Sequence, residues 1–263
     1  MVGKKSDKKV SVSLNCFLKV MKKISIIIVL LSIAILGIIL VKSLSKPTPN
    51  KRLPIATVEK PNQYRDNNTP LNHFQIHDNI TATIFWVGER ASSSNSFISN
   101  TESAWDEDWS KHFGGVDDPE KRAGFYPAEF IPKENPFYFA LPYNDLDDDG
   151  NRKKNANEVV FWETQDSLES HQSILKNRWA KIIANDKVAY GQWEDVGPFG
   201  EDDEVYVFGK KNPKSQKNDN AGIDLSPAIS DYLGLNGKEK VSWQFIEEEA
   251  VPKGPWKEII TKY

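Results

Sequence analysis

Residues 193–199 read W-E-D-V-G-P-F, and residues 222–228, which follow a long acidic and polar loop, read G-I-D-L-S-P-A. The first stretch has the pattern of a strand that ends in an acidic residue and a Gly-Pro turn. In the second stretch Asp224 precedes a Ser-Pro pair, which is typical of a helix capped by its serine and started by its proline. Together the two stretches are expected to place Asp195 and Asp224 near the same pole of one small β-structure.

The rest of the C-terminal part of the chain has the pattern of short strands. A helix is predicted at residues 226–233, where Gly234 would end it. Residues 91–136 show no clear period, and we expect a long insertion over one end of a barrel. The pattern favours a mainly β domain over residues 79–263, an all-β barrel with short helices. The predicted strands are β-branched or aromatic runs bounded by Gly, Pro, Asn or Asp, at residues 80–87, 137–141, 159–162, 179–183, 188–193, 205–208, 241–246 and 256–261.

These motifs resemble those of the double-psi β-barrel superfamily, and most closely those of RlpA-like septal proteins and expansins. In those families a D-R-G-P-F or T-D-x-x-P segment precedes an I-D-L-S or F-D-L-S segment and a helix that ends in L-G. They also open with a strand of the type A-T-x-Y, and residues 81–88 here read T-A-T-I-F-W-V-G. The resemblance covers both ends of residues 81–230 and is absent from the inserted middle, and it implies a six-stranded double-psi barrel with a large insertion. Two features depart from it: Val196 stands where those families have Arg, and their glycine-, histidine- and Asn-Gly-containing stretch has no counterpart.

The resemblance also implies a site that acts on glycan. It makes Asp224 the counterpart of the acidic residue that expansins, family-45 glucanases and MltA-type lytic transglycosylases place on this loop. Asp195 and Thr83 match the two polar residues that face it across a groove. A partly buried carboxyl beside a like charge holds its proton, as an acid/base needs to. The implied reaction is lytic transglycosylation of peptidoglycan, and the alternative is an expansin-like module that binds or loosens polysaccharide without turnover.

The residues leave other roles open for the same positions. An inverting glycoside hydrolase needs a second carboxylate roughly 6.5 to 9.5 Å from the first. Glu89, Asp106 and Asp108 are candidates, and their spacing selects none of them. In purely structural roles, Asp224 would bond backbone amides at the start of the helix, and Asp195 would hold the Gly-Pro turn.

Aromatic side chains are the candidate sugar-binding surfaces, because flat rings stack on sugars as well as packing in cores. We expect substrate contacts from Trp86, Trp193 and Tyr143, with Trp162 and Tyr126 as further candidates. Core packing is the alternative for each ring. The W-D-E-D-W segment at residues 105–109 is the expected substrate wall of the insertion.

Signals for a metal site are weak. Residues 145–151, D-L-D-D-D-G-N, begin like a calcium loop, but the twelfth position from Asp145 is Ala156 instead of the bidentate Glu that such loops use. The pattern favours a solvated acidic turn with Gly150 at positive φ over a weak calcium site. The four histidines lack metal-ligand spacing. We expect neither a metal nor a cofactor.

The N-terminal part predicts a membrane anchor. Residues 24–41 carry no charge, and eighteen helical residues span about 27 Å, close to the hydrocarbon core of a bilayer. Seven lysines precede this run, which favours a cytoplasmic N-terminus. The expected order is a cytoplasmic segment (1–23), a transmembrane helix (24–41), a Pro/Asn-rich spacer (42–78) and an extracytoplasmic domain, in a cell inner or cytoplasmic membrane. A cleaved signal peptide is the alternative.

Charge and cysteine content restrict the partners. The chain has 263 residues and a formal net charge of −3 at pH 7, which gives no electrostatic case for nucleic acid. Its only cysteine, Cys16, precedes the apolar run, so the domain has neither disulfides nor a cysteine-based metal site. The expected partners are peptidoglycan or another polysaccharide, and the membrane through one helix. The oligomeric state is not indicated.

Overall fold

The computed structural model describes residues 74–160, 162 and 168–262. The predicted cytoplasmic segment, the transmembrane helix and nearly all of the spacer lie outside these residues. In the described part of the chain no helix is long and apolar enough to cross a membrane. The described residues all fall in one unit of the chain, residues 69–263.

The described residues form eight strands and four short α-helices. The strands are β1 (His77–Ile84), β2 (Arg122–Ala123), β3 (Tyr126–Pro127), β4 (Tyr138–Leu141), β5 (Trp179–Ala184), β6 (Lys187–Val196), β7 (Ala221–Leu225) and β8 (Glu239–Phe245). The helices are α1 (Trp109–Phe113), α2 (Ala156–Val159), α3 (Glu204–Val207) and α4 (Pro227–Leu233), with 3-10 turns at Ser93–Asn95, Glu248–Ala250 and Pro255–Lys257.

Six strands close into a barrel in the order β1-β7-β4-β6-β5-β8, while β2 and β3 form a separate two-stranded sheet. The barrel is mixed. The pairs β1–β7 and β4–β6 are parallel, and the other four pairs are antiparallel. The predicted mainly β class with a six-stranded barrel and short helices is therefore confirmed.

The barrel interior is filled by large aromatic and aliphatic side chains. Trp193 packs between two other rings, since its ring centroid lies 6.3 Å from that of Phe139 and 5.8 Å from that of Phe245. His77 stacks on Trp243 with ring centroids 4.0 Å apart. Burial lowers the pKa of His77 to about 4, so this imidazole is neutral at pH 7 and packs as an aromatic ring.

Three predicted strands were wrong, and each was a short apolar run of ambiguous period. Residues 205–208 belong mainly to α3, which buries Tyr206 and Val207 in the core, so packing overrides the β propensity of this run. Residues 256–261 begin in a 3-10 turn that Pro255 starts. Of the run 159–162, Val159 is the last residue of α2 and Val160 is its C-cap. The first predicted strand, residues 80–87, is displaced by three residues relative to β1.

The helix predicted at residues 226–233 is confirmed as α4. The side chain of Ser226 accepts a hydrogen bond from the amide of Ile229 at 3.3 Å and so caps the first turn. Gly234 ends the helix in the left-handed region, with φ of 74°. Its amide donates to the carbonyl of Ser230 at 2.8 Å. Both ends of α4 therefore follow from the sequence motif.

The insertion packs on the outside of the barrel next to β1 and β4. A second apolar cluster forms there, apart from the barrel interior. A buried Asp117 accepts a hydrogen bond from the Tyr138 hydroxyl at 2.9 Å and pairs with Arg122. The insertion is thereby attached to the strand that carries the candidate site. The cluster consists of Phe85, Val87, Trp109, Phe113, Tyr138 and Ala140.

Candidate functional site

One row of paired residues, which we call the acidic row, crosses the strands β1, β7, β4 and β6. It consists of Thr83, Asp224, Ala140 and Asp195. The register pairs Thr83 with Asp224, and it pairs Ala140 with both Asp224 and Asp195. Residues paired directly across strands present their side chains on the same face. Ala140 belongs to the cluster under the insertion, so the row lies on the outer face of the barrel. The structure thus brings the three predicted catalytic residues together.

A bulge in β6 decides which way Asp195 points. Trp193 pairs with Phe139 and Asp195 pairs with Ala140, which leaves Glu194 as an extra residue. In a regular strand, residues two apart share a face, so Asp195 would follow Trp193 into the barrel interior. The extra residue reverses this and turns Asp195 to the outer face.

A corresponding bulge lies in β7, where Gly222 is the extra residue between two paired positions. Only glycine fits there. A Cβ atom on Gly222 would lie 2.5 Å from Cγ of Pro213 and 2.6 Å from the hydroxyl of Tyr206. That hydroxyl also donates to the carbonyl of Gly222 at 2.9 Å. The bulge is therefore held in place two residues before Asp224.

Asp224 has one carboxylate oxygen bonded and the other directed at a glycine. The Thr83 hydroxyl donates to Oδ1, while Oδ2 lies 3.3 Å from the position a Cβ atom would take on Gly197. Burial raises the pKa of Asp224 to about 7; the Thr83 hydrogen bond lowers it and the nearby charge of Glu89 raises it. The residue as a whole is half-buried.

Asp195 lies deeper than Asp224, with 7% of the residue exposed. Its Oδ1 accepts a hydrogen bond from the amide of Ala104, in the insertion, at 2.8 Å. Burial raises the pKa of Asp195 to about 7; the amides of Ala104 and Val196 lower it and the charge of Asp224 raises it. Since a negative Asp224 disfavours ionisation of Asp195, the two carboxyls ionise together less readily than either would alone.

The two structural roles that the sequence left open, capping the helix for Asp224 and holding the Gly-Pro turn for Asp195, are filled by other groups. Ser226 caps α4, so Asp224 is not the residue that satisfies the helix start. The Gly-Pro turn is held by the Gly197 amide, which donates to the carbonyl of Leu141 at 3.1 Å. Asp195 instead joins the barrel to the insertion. Neither aspartate therefore has the local structural role that the sequence left open for it.

The three candidates for a second carboxylate occupy different surroundings. Glu89 is buried and accepts a hydrogen bond from the Asn100 side chain at 2.8 Å, and its charge acts on Asp224. Asp106 pairs with His112 at 2.8 Å. Asp108 pairs with Lys111 on the surface. Of these three, Glu89 is the one whose charge raises the pKa of Asp224.

The predicted aromatic contacts divide into core and partly exposed rings. Trp193 is 0% exposed and Tyr143 is 1% exposed, so neither presents a face to solvent. Trp86 is half-buried just after β1. Trp162 packs against Phe245 and the Arg178 guanidinium, and the half-buried Tyr126 donates its hydroxyl hydrogen to Glu258.

The expected substrate wall of the insertion lies against the site. Trp105 is half-buried, its ring edge meets Trp193 with centroids 5.6 Å apart, and its indole N–H donates to Asn144 at 3.0 Å. Together with the bond from Ala104 to Asp195, these contacts hold the start of this segment beside the acidic row.

Sequence reasoning missed two buried glutamates behind the site. Glu134 and Glu194 are each 1% exposed. In the described part of the chain the carboxylate oxygens of Glu194 have no hydrogen-bond partner, and those of Glu134 lie outside normal hydrogen-bond geometry, with the Trp109 side chain as the nearby donor that lowers its pKa. Lys176 attracts both charges and Asp106 repels both; burial is the larger influence and raises both pKa values, that of Glu134 to about 7. The signal available in sequence was the consecutive pair Glu194 and Asp195, because neighbouring strand residues cannot both face solvent.

In the acidic turn at residues 145–151, protein groups already donate hydrogen bonds to Asp145 and Asp147. Asp145 is buried and accepts hydrogen bonds from the Ser173 hydroxyl and the Ile174 amide, both at 2.7 Å. Asp147 accepts from the Asn151 amide at 2.9 Å, and Gly150 has the predicted positive φ, 73°. Among the described residues, no three His, Cys, Asp or Glu side chains are placed to hold a metal ion.

The sequence matches no protein-family model, and no curated protein is significantly similar to it. Chemically, the row offers two neighbouring carboxyls, Asp224 and the more buried Asp195, whose pKa values burial raises to about 7, so both exchange protons near neutral pH. Such a pair is suited to proton transfer to and from a substrate oxygen.

Proposed function

We propose that this chain is a cell-envelope protein that cleaves glycan, with peptidoglycan as its substrate and Asp224 as its acid/base. The observation that carries the proposal is the acidic row itself. Asp195 and Asp224 flank the same residue, Ala140, on one face of the barrel. Burial raises the pKa of each to about 7.

In the proposed reaction Asp224 begins protonated and gives its proton to the glycosidic oxygen. The bond from the anomeric carbon to that oxygen breaks, and the leaving sugar departs as an alcohol. A negative Asp195 stabilises the positive charge that develops at the anomeric carbon. Asp224, now a carboxylate, takes the proton of the 6-hydroxyl of muramic acid as that oxygen bonds to the anomeric carbon. The product is a 1,6-anhydro sugar, and no water is consumed.

The closed, mixed, six-stranded barrel is compatible with a double-psi topology, which supports assignment of the domain to the RlpA-like and expansin-like group. The sequence motifs that favour this group, at residues 193–199 and 222–228, are the ones that form the acidic row. The proposal includes a single transmembrane anchor at residues 24–41 with the domain outside the cytoplasm, where peptidoglycan is found.

The test compares full-length protein in detergent micelles with two variants, Asp224→Asn and the surface control Asp219→Asn. Asp219 lies on the loop before β7, is exposed and pairs with Lys238. Each protein is incubated with purified peptidoglycan, and released muropeptides are identified by mass spectrometry. Products ending in 1,6-anhydromuramic acid are expected from the parent and the control but not from Asp224→Asn.

Two other results would contradict this mechanism. Products with an ordinary reducing end would identify a hydrolase, and Glu89 would become the candidate for the second carboxylate. Sedimentation with peptidoglycan in the absence of any release would instead identify a binding module of the expansin-like kind.

A further inference from the structure

A cavity of about 250 Å³ lies beside the turn that follows Asp195. We call it the turn cavity. Its apolar lining comes from Pro142, Pro198, Phe199 and Pro213. Lys217 lies over the Phe199 ring, 5.2 Å from the centroid, which helps to hold that ring in position. The cavity therefore has flat, rigid, apolar walls.

The polar lining of the turn cavity contains more acceptors than donors. Glu201 and Asp202 are exposed acids on its rim. Asp203 is 3% exposed; its Oδ2 accepts from the Lys214 amide at 2.6 Å, while its Oδ1 has no hydrogen-bond partner in the described part of the chain. Lys214 is the cation of the lining, and its ammonium group donates to the carbonyl of Asp202 at 2.5 Å and lies 4.0 Å from Oδ1 of Asp203. Lys153 pairs with the Asp202 carboxylate at 3.3 Å. The Asp203 oxygen without a hydrogen bond and the exposed Glu201 favour a ligand that supplies hydrogen-bond donors.

We infer that the turn cavity binds one neutral sugar ring of a glycan chain, as a second subsite. The inference rests on the proposed function for its substrate class. The volume is below that of a typical drug-sized pocket and suits a single ring. Hydroxyl and amide groups of the sugar would donate to the acidic rim, and its C–H face would lie on proline and Phe199.

The turn cavity and the acidic row are adjacent on the same two segments. Gly197 contacts Asp224, and Phe199, two residues later, lines the cavity. On β7, Ala221 lines the cavity and Asp224 follows three residues later, a span of about 10 Å along a strand. A ring in the cavity and a glycosidic bond at Asp224 thus belong to neighbouring parts of one extended chain.

Two substitutions test the cavity without altering the acidic row. Gly200 lines the cavity, and a Cβ atom there would meet nothing within 4 Å, so Gly200→Leu adds a side chain at the cavity without a backbone clash. Phe199 has a φ of 56°, which asparagine tolerates, so Phe199→Asn removes the ring from the wall. Gly237→Asn is the control, since Gly237 also has open space and lies between α4 and β8.

Binding of the neutral probe tetra-N-acetylchitotetraose is measured by saturation-transfer NMR on full-length protein in micelles. All proteins carry Asp224→Asn, so that the probe stays intact. We expect Gly200→Leu and Phe199→Asn to weaken binding about tenfold, the loss of one ring's contacts, and Gly237→Asn to leave it unchanged. Equal binding by all variants would overturn the inference. So would cavity-dependent binding of the tripeptide L-Ala-γ-D-Glu-L-Lys in place of the sugar, which would assign the cavity to a peptide.

The outcome is separable from that of the proposed function. Cavity-dependent sugar binding by a protein that releases no muropeptides would retain the subsite and reject the enzyme. Release of anhydro products by a protein whose sugar binding ignores the cavity would retain the enzyme and reject the subsite.

Discussion

Asp195 and Asp224 pair with the same residue, Ala140, from opposite sides of β4. One acid comes from a parallel neighbour, β6, and the other from an antiparallel neighbour, β7. Their side chains share a face because a bulge precedes each of them, at Glu194 and at Gly222. The position of the acidic pair therefore depends both on the order of the strands and on the two bulges.

Thr83→Val is expected to shift the pH dependence of glycan cleavage upward. The Thr83 hydroxyl donates to Asp224 and lowers its pKa, and valine has nearly the same shape without the donor. The pKa of Asp224 then rises from about 7, so the acid form persists to higher pH and the alkaline limb of the rate profile moves with it. The measurement is the initial rate of muropeptide release across pH 5 to 9.

If Thr83 had only a structural role, Thr83→Val would lower the rate at every pH and leave the alkaline limb of the pH–rate profile where it is in the parent. The matched control is Thr101→Val, because Thr101 lies on the insertion and its hydroxyl contacts Ser99 at 3.0 Å instead of an aspartate. That control should keep the parent profile.

Gly222→Ala is expected to destabilise the domain by on the order of 1 to 3 kcal/mol, the cost of overpacking a core. The added Cβ atom would lie within 2.6 Å of both Pro213 and the Tyr206 hydroxyl, so either the bulge or α3 must shift. Gly200→Ala is the matched control, since its Cβ atom meets nothing within 4 Å. Urea unfolding followed by tryptophan fluorescence gives both values. Equal stability of the two variants would show that the β7 bulge is not tightly packed.

The sequence identified the acidic residues but not the devices that orient them. Asp195, Asp224 and the cap of α4 follow from local motifs, whose meaning depends on neighbours in the chain. A bulge depends on the register between strands distant in sequence, and alternation alone would have turned Asp195 inward with Trp193. Residues 205–208 likewise have the local pattern of a strand. They form a helix because the core against which they pack comes from elements distant in sequence.

Glu134→Gln is expected to make the domain less sensitive to alkaline pH. Burial raises the pKa of Glu134 from 4.5 to about 7, so its contribution to stability is fully present below pH 4.5 and is lost as pH rises through about 7. At 1.4 kcal/mol per pKa unit the loss is on the order of 3 kcal/mol. Glutamine keeps the shape without titrating. Between pH 5 and pH 8 the variant should therefore lose about that much less unfolding free energy than the parent.

Urea unfolding at each pH provides the measurement, and Glu120→Gln, at an exposed position in the insertion, is the control. If parent and Glu134→Gln lost stability in parallel, Glu134 would have to find a partner in solution that keeps it ionised. The two carboxylate oxygens of Glu134 would then be the place to look for that partner.

The proposed topology gives a labelling pattern with a built-in reference. Cys16 is the only cysteine, and a cytoplasmic N-terminus hides it from a membrane-impermeant maleimide in intact cells. In the variant Cys16→Ser with Lys253→Cys, the new thiol lies at an exposed position of the domain and should react without lysis. Parent protein should react only after lysis, because only then does the reagent reach the cytoplasmic side. Labelling of the parent in intact cells would reverse the orientation and remove the domain from the compartment that holds peptidoglycan.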